Sequence, residues 1–341
     1  MSKTEKICAF LSAQAVFFKR WFFVAVIFAA FLFLAFRFPE LRNSFAESIA
    51  KIPLWSVVLL LGIQIVTQIL LNIQWNSLAA FAGARVKFGE MFYINSQAEI
   101  VHSVPAGYLG SEITRFVKIL SLSGCGKSKA AAIIAAQKIF SLTALFLICI
   151  LCLGFIIGEI PWINAGFQVG IYGLLSVFLL SLLAIFFAPE RLKAHIDKKS
   201  EPKNPVFIKL FNFLRVLLNQ LISIRQKPKT CACFFLLAVL IWLLFPLKMY
   251  ILSIQINHEV SALSVAAAAF VSYAVGVLPI FPGGLGGFEL TMTGLLSIIG
   301  FSAGDALALT VIFRFVTFWF VLLASFAFIG FYKGIGGVRE R

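Results

Sequence analysis

The sequence predicts an all-α polytopic membrane protein, a single integral membrane domain over residues 1–341. It should hold about six full transmembrane helices plus two re-entrant broken-helix hairpins, about eight hydrophobic membrane segments in an inverted-repeat architecture. Three observations lead there. First, mean hydropathy is +0.99, with 61% hydrophobic and only 13% charged residues. A soluble chain is roughly one-quarter charged, so an ordinary soluble enzyme, a disordered tail protein and a nucleic-acid binder with a basic surface are excluded. Second, the apolar residues fall in runs long enough to cross about 30 Å of hydrocarbon, which takes roughly 20 helical residues. Third, two of those runs break at a Pro/Gly-rich tip.

In chain order the runs are 21–36, 52–71, 91–104, 130–157, 169–188, 231–252, 261–281, 288–299 and 306–331. The first is preceded by Lys19 and Arg20 and followed by Arg37, Phe38, Pro39 and Glu40, with no small-residue cleavage site, so it reads as a retained helix and not a signal peptide. The run 91–104 leads into Pro105-Ala-Gly-Tyr-Leu-Gly-Ser-Glu112 and a short second run to Leu120 that carries Arg115 and Lys118. The run 261–281 leads into Pro282-Gly-Gly-Leu-Gly-Gly-Phe-Glu289 and a run ending near Ile299. If each pair enters and leaves on one side, six full spans remain and both termini share a side.

Charge tests that arrangement. With a cytoplasmic N-terminus, the inside segments 1–20, 76–90, 115–129, 189–230 and 332–341 hold 23 of the 29 Lys and Arg residues. The outside segments hold three, Arg37, Arg42 and Lys51, and Lys138, Lys248 and Arg314 lie within spans. The positive-inside rule is then obeyed at every connection, which predicts a cytoplasmic (inner) membrane protein with both termini cytoplasmic. Within the basic segment 189–230, residues 204–226 place Lys209, Asn212, Arg215, Asn219, Ser223 and Gln226 at three- and four-residue steps opposite an apolar face. That is an amphipathic helix, either lying on anionic headgroups or packed under the bundle.

The two tips match beyond composition. Pro105, Gly107, Gly110 and Glu112 recur as Pro282, Gly284, Gly287 and Glu289 at an offset of 177 residues. Lys138 lies 26 residues beyond the first Glu, and Arg314 lies 25 beyond the second. Residues 15–158 thus form a first repeat and 169–331 a second, inverted by the charge topology. Inverted repeats with interrupted helices near the midplane mark secondary transporters, and irregular backbone at that depth is tolerated only where protein buries it or a wet cavity receives it.

These motifs carry a resemblance. Pro282-Gly-Gly-Leu-Gly-Gly-Phe-Glu289, followed by an Arg in the last span, resembles the C-terminal signature of the lysylphosphatidylglycerol synthase transmembrane, or flippase-like, family. The segment Val104-Pro-Ala-Gly-Tyr-Leu-Gly-Ser-Glu-Ile-Thr-Arg115 resembles its first motif, with Ala106 where the family often has Gly. The resemblance covers roughly residues 15–331 and implies a domain that moves aminoacylated phospholipids or polyprenyl- and other lipid-linked intermediates between leaflets. Arg341 follows the last run by ten residues, so the soluble aminoacyl-transferase domain of the bifunctional members is not expected.

Charges inside a bilayer are costly and hence functional candidates. Glu112 and Glu289 stand where the second half-helix of each hairpin begins. They either cap the free backbone amides there or take up protons and couple transport to a gradient. Lys138 and Arg314 sit some eight residues into the following spans, too deep for easy snorkelling, and either neutralise the two Glu or grip a lipid phosphate. Arg115 and Lys118 are a first phosphate contact or simply positive-inside anchors. Glu99 and His102 read as polar cavity lining, and Lys248 as a snorkelling residue near the outer end of its span.

Other features carry less. Residues 121–128 nearly spell a P-loop, but the first Gly is Ser121 and no strand precedes it. Cys149 and Cys152 form a C-x-x-C among apolar residues and read as small helix positions, not a redox or metal pair. No metal or cofactor is expected.

The leading function is a lipid carrier using Pro105, Gly107, Gly110, Glu112, Arg115, Lys138, Pro282, Gly284, Gly287, Glu289 and Arg314. Its partners would be an anionic phospholipid or a polyprenyl-phosphate-type lipid, the bilayer, and a second copy or envelope-biosynthesis enzymes, with no nucleic acid. The alternatives are an integral membrane transferase, for which paired acidic residues are wanted and only Asp197 and Asp305 are Asp, and a non-transporting scaffold.

Overall fold

The computed structural model describes residues 39–103, 107–154, 165–198, 214–215, 218–219, 221–276 and 284–337. Among these the chain is helical throughout, with no strand. The elements are α1 (Pro39–Lys51), α2 (Leu54–Phe81), α3 (Phe88–His102), α4 (Gly107–Ser123), α5 (Lys127–Leu153), α6 (Ala165–Phe187) and α7 (Pro189–Lys198). After these come α8 (Pro228–Ser253), α9 (Ala262–Gly276), α10 (Gly287–Ile298), α11 (Ala303–Arg314), a π-helical turn (Phe315–Trp319) and α12 (Phe320–Gly334).

Among the described residues five helices are long and apolar enough to cross a membrane: α2, α5, α6, α8 and the continuous Ala303–Gly334 formed by α11, the π turn and α12. The protein is therefore a multi-pass membrane protein. These five coincide with five of the six spans expected from hydropathy. The remaining one, 21–36, lies outside the described residues, as do Pro105, Pro282 and most of the amphipathic segment 204–226.

The interrupted runs behave differently. α3 and α9 have 15 residues each, or about 22 Å at about 1.5 Å per residue, short of the hydrocarbon thickness. Each packs against the helix that follows it across its tip, α3 on α4 and α9 on α10. Gly110 makes the first packing possible, because a Cβ there would come within 2.9 Å of Val101 Cγ1.

Helix α2 runs ten residues past the expected exit at Leu71, carrying Asn72, Gln74, Trp75 and Asn76. Hydropathy reads these as leaving the bilayer, but they turn inward. Asn72 Nδ2 donates to the Phe88 carbonyl at 3.2 Å and Gln74 Nε2 to the Phe234 carbonyl at 3.4 Å, so these two amides find acceptors on neighbouring helices. The near-P-loop residues form the end of α4, a turn with Gly124 at φ 64°, and the start of α5, with no nucleotide-binding strand before them.

Two apolar cores organise the bundle. One joins α2, α8, α9, α10 and α11 through Leu60, Met249, Val265, Phe288, Met292 and Phe313. The other joins α2, α3, α4, α5 and α8 through Trp75, Met91, Ile119, Ile133, Phe140 and Phe234. The halves interlock, since α12 covers α3 with the Phe328 ring tilted against Phe92 at 4.5 Å while α9 packs on α5. Outward faces carry exposed apolar side chains such as Leu54, Val58, Val177, Leu180, Leu236 and Leu323, the surface a lipid-facing helix presents.

Lys248 corrects an expectation. It does not snorkel from the end of α8: it is fully buried, donates to Gln64 Oε1 and, at 3.4 Å, to Thr67 Oγ1 on α2, and lies over the Phe245 ring at 4.2 Å. Two neutral acceptors and an aromatic face replace the water that snorkelling would seek.

Helix α1 is held against α11 where Ser48 Oγ donates to Asp305 Oδ1 at 2.7 Å and Asp305 N donates to the N-cap Ser302 Oγ at 3.1 Å. Gly304 faces Ser44 so closely that any Cβ would overlap it. Gly304→Leu should therefore detach α1 and lower the thermal midpoint of the purified protein by several degrees, whereas Gly62→Leu, on an open face of α2, should leave it within about one or two degrees.

Candidate functional site

The second tip is built around one carboxylate. Gly284 and Gly286 adopt φ +74° and +87°, and Gly284 lies so near the end of α9 that a Cβ would sit 3.1 Å from the Gly276 carbonyl oxygen. Only glycine meets both demands. α10 then starts at Gly287. Glu289 reaches back so that Oε2 accepts from Gly286 N at 2.6 Å, the capping-box return bond, while Oε1 accepts from Arg314 Nε at 2.6 Å. Arg314 lies between the rings of Phe288 and Phe318, at 4.8 and 4.6 Å. Both members of this pair are less than a tenth exposed. The π turn begins immediately after Arg314, and its wider winding accompanies the turn of Thr317 and Phe318 toward the interior.

The first tip carries the same charge types in a larger network. Glu112 Oε1 receives Arg115 Nη1 at 2.8 Å and Lys138 Nζ at 2.7 Å. Arg115 also holds Glu99 Oε1 at 2.8 Å through Nη2 and Asn95 Oδ1 at 3.2 Å through Nε, and its guanidinium stands 5.0 Å over Trp75. Asn95 passes the chain on to Asn72 Oδ1 at 3.0 Å. Arg115 is thus buried in the bundle and not a positive-inside anchor at the membrane face. Its neighbour Glu99 is an ion-pair partner, a role its spacing in sequence did not reveal.

Between the tips lie two adjoining cavities of about 250 and 240 Å³. They share walls at Gln68, Glu99, Arg115, Lys138, Trp242 and Val321. The first extends toward neutral amides, Asn72, Asn95 and Gln137. The second has Glu112 and His102 on one side and Gly276, Gly284, Phe288 and Arg314 on the other. Side chains 177 residues or so apart in sequence therefore face one cavity, mostly apolar in its walls but set with charged groups.

Of the sequence-derived site residues, Gly107, Gly110, Glu112, Arg115 and Lys138 cluster at the first tip and Gly284, Gly287, Glu289 and Arg314 at the second. Sequence reasoning missed Asn95, Trp75, Trp242, Phe318 and Gln68. Asn95 and Glu99 stand at i, i+4 on α3, a signal for a shared face; the others had none. Among the described residues no group of three His, Cys, Asp or Glu side chains is placed to hold a metal ion.

Comparison with known proteins adds the lineage of this arrangement. The family model described as the lysylphosphatidylglycerol synthase TM region matches residues 21–325. The chain is similar to a UPF0104 membrane protein of Methanothermobacter thermautotrophicus, 30% identical over 100 residues, which is 29% of this chain and 30% of that protein. It is 20% identical over 263 residues to a UPF0104 membrane protein of Pyrococcus horikoshii, covering 72% of this chain and 78% of that one. A third, from Methanocaldococcus jannaschii, is 24% identical over 277 residues, 77% of this chain and 80% of the relative. The match thus spans less than a third of the first relative's own length and about four-fifths of the other two.

The Glu289–Arg314 pair yields a stability prediction. Removing one partner strands the other charge at about 3–5 kcal/mol, whereas replacing both removes the desolvation cost together with the attraction. Arg314→Met should lower the thermal midpoint sharply, and the double variant Glu289→Gln/Arg314→Met should recover much of that loss in the same melting assay.

Proposed function

The chain belongs to the lysylphosphatidylglycerol synthase TM region family, and from that premise we propose that it carries a phosphate-bearing lipid across the cytoplasmic membrane. The lipid is an anionic phospholipid or a polyprenyl-phosphate-type lipid. Its headgroup passes through the cavity between the tips while its apolar chains stay in the bilayer. The observation that carries this reading is the convergence of Arg115, Lys138 and Arg314, from both tips, on the same cavity.

The chemistry fits a phosphate. A guanidinium matches phosphate oxygens with paired donors, and an ammonium supplies a compact charge beside it. Lys138 is the more accessible of these cations, its side chain 28% exposed against 8% for Arg115 and Arg314. It is the first to greet an incoming headgroup. Asn72, Asn95 and Gln137 extend the cavity with neutral donors and acceptors for the remainder of the headgroup. The alternation that moves the site between leaflets would come from the two short helix pairs, α3–α4 and α9–α10, acting as oppositely oriented re-entrant hairpins. Both termini are on the cytoplasmic side. The protein acts as a carrier, not an enzyme.

Reconstitution into vesicles tests this. With trace nitrobenzoxadiazole-labelled phosphatidylglycerol in both leaflets and dithionite added outside, the protein should make the inner-leaflet label reducible. A zwitterionic phosphatidylcholine probe should move more slowly. Lys138→Gln should slow the anionic probe at least tenfold while the thermal midpoint stays within a few degrees. An unchanged rate would remove Lys138 from the path.

A further inference from the structure

The two tips are equivalent in sequence and unequal in structure. Glu289 has both oxygens committed, Oε1 to Arg314 and Oε2 to a backbone amide at the start of α10. Glu112 concentrates its bonds on Oε1, which takes both Arg115 and Lys138, while its buried Oε2 has no partner among the described residues. Glu112 lines the cavity between the tips and Glu289 does not. One glutamate is therefore a structural cap, and the other keeps a buried acceptor oxygen beside the cavity with no partner among the described residues.

Charge arithmetic gives that oxygen a purpose. The charged groups at the cavity are Glu99 on α3, Glu112 and Arg115 on α4, Lys138 on α5, and Arg314 at the end of α11 with its partner Glu289 on α10. His102 on α3 and Tyr273 on α9 face the same space. Leaving aside Lys248, which sits behind the wall on Gln64 and Phe245, three carboxylates balance three cations, so the ion pairs of the empty cavity sum to zero with Glu112 ionised. A phosphodiester headgroup brings one negative charge into this low-dielectric space, where an unbalanced charge is costly. It also finds every cation already held by a carboxylate.

We propose that Glu112 is a proton-binding site that couples lipid movement to a pH gradient, one proton travelling with each phosphodiester headgroup. The proposal rests on the reading of the cavity as a lipid-phosphate site. A proton from the aqueous phase binds Oε2, and the neutral carboxyl loosens its hold on Arg115 Nη1 and Lys138 Nζ. Those donors turn to the phosphate. The loaded cavity, with lipid anion and proton together, is neutral, and the empty cavity with ionised Glu112 is neutral too. Both forms that must reorient across the membrane thus carry no net charge. The proton leaves with the headgroup on the far side, which makes the process electroneutral symport driven by the pH difference and indifferent to the membrane potential.

The experiment uses the same vesicles and labelled phosphatidylglycerol, with the membrane potential clamped by potassium and valinomycin. At equal pH the label should equilibrate between leaflets. With the outside made one pH unit more acidic, the label should accumulate in the inner leaflet beyond its equal-pH share. No movement at equal pH overturns the carrier reading and the coupling with it. Movement at equal pH with no response to the gradient, or accumulation on the acidic side, overturns the coupling alone. In Glu112→Gln the gradient response should vanish, and a response that persists overturns the assignment to Glu112. A measurement on the unmodified protein guards against a misfolded variant: calorimetric titration with phosphatidylglycerol, in two buffers of different ionisation enthalpy, should give about one proton taken up per lipid bound. Zero uptake overturns the proposal.

Discussion

The arrangement of this protein follows from a single constraint, that a charge held away from water must have its partner within reach. Moving an ion from water into a low-dielectric interior costs several kcal/mol even after relaxation. Arg314 and Glu289, each nearly buried, meet that cost with a 2.6 Å bond, two aromatic faces and a backbone amide. The glycines of the tip, the short α9 and α10, and the π turn after Arg314 are the backbone features found around that contact. The first tip solves the same problem with four charges instead of two.

Lys248 shows how the constraint is met by neutral acceptors and an aromatic face among the described residues. Its ammonium ties α8 to α2 through Gln64 and Thr67 and rests on Phe245. Gln64 and Phe245 also line the cavity, so this buried cation braces the wall behind the cavity and is not itself among its lining residues. Helices α2 and α8 bridge the two apolar cores, which gives the cavity rigid sides while the tips supply its polar ends.

Much of this was legible in the sequence, for identifiable reasons. Hydropathy over twenty-residue windows is insensitive to detail, so five spans were found near their expected places. The recurrence of Pro, Gly, Gly and Glu pointed to two equivalent breaks and to Lys138 and Arg314 as their matched cations. What was hidden depends on contacts between distant segments. Arg115 read equally as a first phosphate contact or a surface anchor, because its partner Glu99 lies sixteen residues earlier and meets it only when α3 folds onto α4. Lys248 looked like a snorkelling residue because its acceptors sit more than 180 residues away. Asn72 and Gln74 looked like an exit from the bilayer because hydropathy cannot see that neighbouring carbonyls receive them. The inequality of Glu112 and Glu289 is invisible to a repeat, since identical letters stand at both places.

In the proposed function a lipid phosphate sits between the two tips. The most direct measurement is photocrosslinking in native-like membranes with a phosphatidylglycerol that carries a diazirine on its headgroup, followed by mass spectrometry of the peptides. The account predicts adducts on the cavity faces of α3, α4 and α5 and on the π turn near Thr317, and their suppression by unlabelled anionic lipid. Adducts confined to the outward apolar faces of α2, α6 and α8, with no competition, would contradict it.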